Sequence, residues 1–99
     1  TVYVCSRNYG RYLSKCLESL FNQSFVDWEL ILIDDASTDQ TTAEAERLTA
    51  GRRQLIRLLR NDSPKGLRSN ANLAVSLARG EFVMRLDADD WLDESALLV

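Results

Sequence analysis

Apolar and amphipathic segments alternate along the whole chain, and this alternation restricts the fold more than any single motif does. Four short segments rich in β-branched, aromatic and leucine residues are predicted strands, and they cover residues 1–5, 28–33, 54–59 and 82–86. The segments between them repeat apolar residues at three- and four-residue spacing, which predicts helices with one buried face. Because each connection is long enough for a right-handed crossover, successive strands can pair in parallel. We therefore expect an α/β fold, a three-layer α/β/α sandwich with a mainly parallel sheet.

Local signals predict how the helices begin and pack. Residues 37–40 and 41–44 both fit the capping-box spacing, with Ser or Thr followed three positions later by Gln or Glu, before the second helix. The third helix is predicted to begin at Leu67. Its small-residue face, which suits close packing on a sheet, is formed by Ala71, Ala74, Val75 and Ala78.

The composition is that of one globular domain or part of one. Of the 99 residues, 45% are apolar and 27% are charged, as is usual for globular proteins. The net charge of -3 argues against a general nucleic-acid binder, which would carry a basic surface. No apolar run approaches the roughly 18 residues that a membrane span needs, so no span is predicted in this chain.

The cysteine and histidine content excludes several kinds of site. Cys5 and Cys16 have neither metal-site spacing nor the density of a disulfide scaffold, so we expect reduced thiols and a cytoplasmic protein. Because the chain has no histidine, it offers neither a histidine-based nucleophile triad nor the usual zinc ligands.

The two ends of the chain suggest a part of a larger domain. The chain starts without Met and stops at Val99, inside an apolar helical pattern. Residues 1–99 are therefore expected to be the N-terminal part of a domain whose C-terminal part is missing. An uncovered apolar face and sheet edge favour association of proteins, so self-association is expected.

Two acidic clusters follow predicted strands. Asp34 and Asp35 come after the second strand, and Asp87, Asp89 and Asp90 come after the fourth. The carboxyl ends of parallel strands meet at one edge of a sheet, so residues distant in sequence become neighbours there. Closely packed carboxylates repel, and a hard divalent cation with oxygen ligands relieves that repulsion. The alternative interpretation of each cluster is a turn in which Asp caps the next helix.

Polar and basic residues are predicted at the same edge. The loop after the first strand contributes Ser6, Arg7 and Asn8, and the region around the start of the third helix contributes Lys65 and Arg68. Carboxylates for ribose, base and metal, together with cations for phosphate, make a nucleotide site. For Lys65, a solvated loop charge is the simpler interpretation.

The order of these motifs along the chain matches a known family. The matching segments are residues 12–13, 17–20, 22–24, 28–39, Asn72, residues 78–82 and residues 86–92. With them the chain resembles the N-terminal, nucleotide-binding half of the inverting family 2 glycosyltransferases. That family has the GT-A fold, a Rossmann-like fold of nucleotide-diphospho-sugar transferases. The resemblance spans nearly all 99 residues.

The resemblance implies a base pocket. Asp35 would hydrogen-bond the base of a nucleoside diphosphate, usually uracil, and Asp34 would shape the same turn. Ser6 and Asn8 would line the mouth of the pocket. Position 7 is often an aromatic residue that stacks on the base, whereas this chain has Arg7. A guanidinium can stack on a π face, or Arg7 could pair with Asp35 and weaken the selectivity for uracil.

The resemblance also implies a metal and diphosphate site. Asp87-Ala88-Asp89 corresponds to the Asp-x-Asp motif of the family, and Asp87 belongs to the nucleotide-binding set. Asp89 and Asp90 would share the ribose and the Mg²⁺ or Mn²⁺ ion that bridges the diphosphate. The family often has Arg before the residue that matches Asn72; here that position is Ala71, and Arg68 lies on a similar helix face.

The expected function follows from this resemblance. The chain would be the donor-binding part of a glycosyltransferase, an enzyme of polysaccharide biosynthesis. It would transfer a sugar from a nucleotide-diphosphate sugar, UDP-linked by expectation, to a hydroxyl of a saccharide or lipid-linked acceptor, with inversion and a metal ion. The general base is expected in the missing C-terminal part, so no catalytic residue is assigned here. The alternatives are a non-catalytic nucleotide-sugar-binding module and a sugar-phosphate nucleotidyltransferase; the latter would need a Gly-rich phosphate loop, which residues 6–10 lack.

Overall fold

Four strands and three helices alternate in the described chain, as the sequence predicts. A computed structural model describes residues 1–8, 10–24, 27–52 and 54–87. The elements are, in order, β1 (Val2–Ser6), α1 (Gly10–Phe21), β2 (Glu29–Asp35), α2 (Thr41–Thr49), β3 (Leu55–Asn61), α3 (Leu67–Leu77) and β4 (Met84–Arg85). β2 and β3 each run two residues further than predicted, so that the last residues of β2 are the two acids themselves.

The strands form a parallel sheet in the order β3-β2-β1-β4. The chain moves outward from β1 through β2 to β3, and it then returns to place β4 on the other side of β1. This reversal of direction is a topological switch point, and open α/β sheets bind their ligands in the crevice beyond the carboxyl ends of the strands at such a point. The topology therefore places the candidate site beside the carboxyl end of β1.

Helices cover both faces of the sheet and confirm the three-layer sandwich. On one face, Leu13 and Leu17 of α1 and Leu48 of α2 pack with the alternate residues of β1 and β2. On the other face, Ala74 of α3 packs with Tyr3, Ile31 and Ile33. β2 is buried along its whole length, because it has a strand on each side and helices above and below.

The fourth strand is shorter and more exposed than predicted. Only Met84 and Arg85 pair with β1, while Phe82 is 79% exposed. The prediction of a buried strand over residues 82–86 was therefore wrong at its start. An apolar run shows what a segment is able to bury, but coverage depends on neighbours, and within the described residues β4 has a neighbour on one side only.

Two further local predictions were wrong. Neither capping box forms at α2: its N-cap Gln40 makes no side-chain cap, and the Oδ1 atom of Asp39 accepts hydrogen bonds from the backbone N–H and the hydroxyl of Thr41. On α3, Val75 is 57% exposed, whereas Ala74 is fully buried. Adjacent helical positions differ by about 100°, so Val75 lies off the buried face that centres on Ala74, although it is spaced by four residues from Ala71 and by three from Ala78.

Other expectations stand as follows. Among the residues that the structure describes, no helix is both long and apolar enough to cross a bilayer. Cys5 is half-buried and Cys16 is buried, and neither takes part in a disulfide within the described residues. Self-association and the predicted extent of the domain stay predictions.

Two glycines allow a direct test of the backbone geometry. Gly66, which precedes α3, has φ 86° and ψ 163°, a region adopted almost only by glycine. Gly51 has φ 72°, and a Cβ at either position would meet no atom within 4 Å. Gly66→Ala is expected to lower the free energy of unfolding by about 2 kcal/mol, and Gly51→Ala by about 1 kcal/mol. Urea unfolding at neutral pH measures both free energies. A larger loss in Gly51→Ala than in Gly66→Ala would contradict the backbone conformation described for Gly66.

Candidate functional site

The carboxyl ends of β1, β2 and β3 align at one edge of the sheet. Ser6 lies in register with Asp34, and Asp34 with Arg60. One position further along, Asp35 lies in register with Asn61. On the other side of β1, the backbone N–H of Leu86 donates to the carbonyl of Tyr3 at 3.0 Å, so that Asp87 follows directly at the same edge. The parallel sheet thus brings both acidic clusters to one edge through Asp35 and Asp87.

The Asp35 carboxylate is buried and fully surrounded by donors. Its Oδ1 accepts hydrogen bonds from Asn61 Nδ2 and from the backbone N–H of Lys65, both at 2.8 Å. Its Oδ2 accepts from the backbone N–H of Gly66 at 3.1 Å. Asn61 Nδ2 also donates to Oδ1 of the buried Asn70, at 2.8 Å. The carboxylate therefore joins the end of β3 to the start of α3.

The electrostatics of this pocket favour the charged form of Asp35. Burial raises the pKa of this carboxyl, but hydrogen bonds from Asn61, the backbone at Lys65 and Gly66, and Asn70 outweigh burial and hold the pKa below its usual value. The donors Lys65 and Gly66 directly precede α3, so the partial positive charge of the N-terminus of this helix also favours the carboxylate. Three defined hydrogen bonds come from Asn61, Lys65 and Gly66, and the amide of Asn70 contributes as a fourth donor, so the charge of the carboxylate is well satisfied.

Asp34 faces the opposite side of the sheet. Its Oδ1 accepts from the backbone N–H of Ser37 at 3.1 Å, and its Oδ2 accepts from the hydroxyl of Thr42 on α2. The Arg60 guanidinium lies 3.8 Å from Oδ2. These contacts hold the turn after β2 and the start of α2. Consecutive residues of a strand point to opposite faces, and so the two adjacent acids do not form one cluster.

The three candidate residues at the end of β1 and in the loop after it lie in different surroundings. Ser6 is 2% exposed, and within the described residues its hydroxyl has no hydrogen-bond partner. Asn8 accepts hydrogen bonds from the backbone of Thr38 and Asp39. Arg7 is exposed and is not among the described donors to Asp35, so the pairing of Arg7 with Asp35 is absent from this structure.

The crevice beside β1 carries a second group of charges. Arg85 Nε lies 3.2 Å from Asp87 Oδ1, and both side chains are about half exposed. The pKa of the Cys5 thiol is raised to about 11, chiefly by burial. The negative charges of Asp35 and Asp87 add to this rise, whereas the positive charge of Arg85 opposes it. Cys5 thus lies near both Asp35 and Asp87, and it stays a neutral thiol at physiological pH.

The structure describes only some of the remaining residues of the predicted site. Arg68 lies exposed in the first turn of α3, the helix whose N-terminus contacts Asp35. Asp89 and Asp90 lie outside the described residues. Within the residues that are described, no group of three or more carboxylates or thiols is arranged to hold a metal ion.

Sequence reasoning missed Asn61 and Asn70. Asn61 begins a segment of turn-forming residues, yet it closes β3 at the same edge as Asp35. Asn70 is 2% exposed inside an otherwise apolar helix face, and a buried amide in such a place requires a polar partner. The sequence signal for Asn70 was a polar residue at a helix position whose neighbours on the same face are apolar.

The carboxylate of Asp35 can be tested through acid stability. Because its pKa is lowered in the folded state, its contribution is complete above the unfolded pKa of about 3.9 and is lost as the pH falls through the folded pKa. Asp35→Asn is expected to cost about 2 kcal/mol at pH 7 and clearly less at pH 3. Urea unfolding at both pH values measures this. Asp62→Asn, at an exposed position between β3 and α3, is the control, and an Asp35→Asn effect that does not change with pH would contradict the prediction.

Comparison with known proteins places the chain in a family. The family model described as "Glycosyl transferase family 2" matches residues 1–99. EpsE of Bacillus subtilis (strain 168) is 39% identical over 89 residues, covering 90% of this chain and 31% of that protein. The chondroitin synthase of Pasteurella multocida (strain Pm70) is 33% identical over 98% of this chain, which covers 10% of the synthase.

Comparison with solved structures supports the same family. Staphylococcus aureus TarS, residues 1–349 in complex with UDP, superposes with a TM-score of 0.88 at 30% identity, over 98% of this chain and 29% of that one. The mannosyltransferase PcManGT of Pyrobaculum calidifontis, in complex with GDP-Man and Mn²⁺, gives a TM-score of 0.85 at 26% identity, over 91% of this chain and 27% of that one. The chain spans about a third or less of each of these proteins. With the family model matched from end to end and the GT-A fold shared, this chain belongs to glycosyl transferase family 2.

Proposed function

We propose that this chain is the donor-binding part of a glycosyltransferase that uses a UDP-sugar. The observation that carries this proposal is the Asp35 carboxylate, which is charged, buried and fixed at the ligand-binding edge of the sheet. The likeness to TarS in complex with UDP and in complex with UDP-GlcNAc supports a uridine nucleotide as the ligand.

In this proposal the Asp35 carboxylate also accepts a hydrogen bond from the N3–H of uracil. N3 of cytosine carries no proton at neutral pH and cannot donate such a bond. Asn61, Lys65 and Gly66 hold both oxygens of the carboxylate in place, and the base would approach it from the crevice. Such a hydrogen bond to a charged acceptor contributes about 1.5 to 3 kcal/mol.

The proposed metal site rests on the acidic segment after β4. Asp35 is occupied by its own donors, and Asp87 faces Arg85, so Asp89 and Asp90 are the residues proposed to hold Mg²⁺ or Mn²⁺. Their oxygen ligands suit a hard cation that completes its shell with phosphate oxygens and water. When bound, such an ion would neutralise charge on the departing diphosphate. The likeness to PcManGT in complex with Mn²⁺ supports this choice.

The reaction proposed is attack of an acceptor hydroxyl on the anomeric carbon of the sugar, with inversion. In this proposal the residues described here bind and orient the donor: Asp35 selects the base, Asp87 contributes to the nucleotide site, and Arg68 lies near the start of α3 for phosphate. The general base and the saccharide or lipid-linked acceptor site would lie beyond these 99 residues.

Metal dependence is expected to require the nucleotide. Mn²⁺ should bind weakly alone and much more tightly in the presence of UDP, because the phosphates supply part of its coordination shell. Asp89→Asn should remove most of that gain, whereas Asp27→Asn, an exposed carboxylate away from the site, should keep it. Titration of Mn²⁺ with and without UDP measures the difference, and equal Mn²⁺ affinity in every case would refute the proposed site.

Base selectivity is expected to depend on Asp35. Asp35→Ala should weaken UDP binding by about ten- to a hundredfold and should weaken CDP binding much less, since CDP lacks the N3–H donor. Calorimetry with UDP, CDP and GDP at saturating Mn²⁺ measures this, with Asp62→Asn as the charge-matched control. If all three affinities survive in Asp35→Ala, Asp35 only shapes the turn and the base assignment is wrong.

A further inference from the structure

Asn8 fixes the loop that follows β2. Its Oδ1 accepts hydrogen bonds from the backbone N–H of Thr38 at 2.7 Å and of Asp39 at 3.3 Å, and from the Thr38 hydroxyl at 3.3 Å. Its own backbone N–H donates to Ser37 Oγ at 3.0 Å. These contacts join the β1–α1 connection to the β2–α2 connection, and we refer to them together as the Asn8 clamp.

The clamp holds a backbone conformation that the sequence alone does not favour. Asn8 has φ 61° and Ala36 has φ 58°. Asn tolerates the left-handed region, but Ala does so only when its surroundings impose it. Ala36 directly follows Asp35, and its backbone N–H donates to the carbonyl of Asp34 at 3.0 Å. If residues 37–39 were released, Ala36 could return to an ordinary φ, and this rotation would redirect the chain at Asp35.

Two sets of hydrogen bonds therefore determine where the Asp35 carboxylate lies. Donors at the end of β3 and at the start of α3 hold its oxygens. The Asn8 clamp holds the backbone on the other side of the turn, through Ser37 and Thr38. Loss of the clamp leaves the turn with the described contacts of Asp34 and Arg60 alone, so the backbone of residues 37–39 is held less firmly.

We propose that Asn8 is a positioning residue for base recognition, acting on Asp35 through residues 37–39 instead of contacting the nucleotide. This inference rests on the proposed function, in which Asp35 accepts the N3–H of uracil. It differs from the role that the family resemblance implies for Asn8, which is to line the mouth of the base pocket.

Two substitutions at Asn8 separate the clamp from the backbone conformation. Asn8→Gly keeps the left-handed φ accessible and removes the Oδ1 acceptor. Asn8→Asp keeps an acceptor oxygen facing the two backbone N–H groups, and Asp also tolerates this φ. Arg47→Gly, in the last turn of α2 and exposed, is the control for general destabilisation, because it weakens a helix without touching the loop.

The first measurement needs no ligand. Hydrogen exchange at the N–H groups of Thr38 and Asp39 should be about fivefold faster in Asn8→Gly, as for the loss of one net hydrogen bond, and should stay within about twofold of wild type in Asn8→Asp. The second measurement is the ratio of UDP to CDP affinity at saturating Mn²⁺. It should fall about fivefold in Asn8→Gly and should be retained in Asn8→Asp and Arg47→Gly.

Each contrary result has a distinct meaning. If Asn8→Gly speeds exchange but keeps the UDP to CDP ratio, the clamp supports the fold only and the proposal is overturned. Equal losses of UDP and CDP affinity in both Asn8 variants, with exchange at Thr38 and Asp39 unchanged, would make Asn8 a direct ligand and would overturn it too. If the wild-type chain binds neither nucleotide, the proposed function itself fails, and the role of Asn8 in base recognition fails with it.

Discussion

The buried charge of Asp35 is the constraint on which the candidate site depends. A carboxylate removed from water costs several kcal/mol unless hydrogen-bond donors compensate for the lost hydration. Here the compensation comes from Asn61 at the end of β3 and from two backbone N–H groups at the start of α3. Satisfying this one charge therefore fixes the relative position of β2, β3 and α3 at the ligand-binding edge.

The two adjacent acids of β2 divide their roles because a strand alternates its faces. Asp34 turns toward α2, where Ser37, Thr42 and Arg60 surround it. Asp35 turns toward α3 and the crevice. A carboxylate that stabilises the turn thus lies beside one that turns toward the crevice, and the sheet geometry prevents their charges from competing for the same donors.

The loops after β1 and β2 depend on each other. Asn8 and Ala36 both adopt left-handed conformations, and the hydrogen bonds of Asn8 with residues 37–39 make the second conformation tolerable. Membership of glycosyl transferase family 2 gives this arrangement its context. The chain covers only about a third or less of the relatives described above, and what it contains is the edge of the sheet where a donor nucleotide is proposed to bind.

The sequence by itself determined the alternation of strands and helices, the parallel sheet and the family. Residue periodicity, the length of the connections and the order of the motifs can all be read along the chain without knowing its contacts. It also predicted that Asp35 and Asp87 would reach one edge, since parallel strands end together. Their roles as ligands stay predictions, and Asp89 and Asp90 lie outside the described residues. Only the tertiary structure decided that Asn61, held by Asn70, donates to Asp35 and that Asp34 turns away from it. It also decided that the described donors to Asp35 do not include Arg7 and that Phe82 is exposed. The physical reason is that hydrogen-bond partners and burial depend on which loops and strands meet in space, and residues 26 to 31 positions apart meet at this edge only after the sheet has formed.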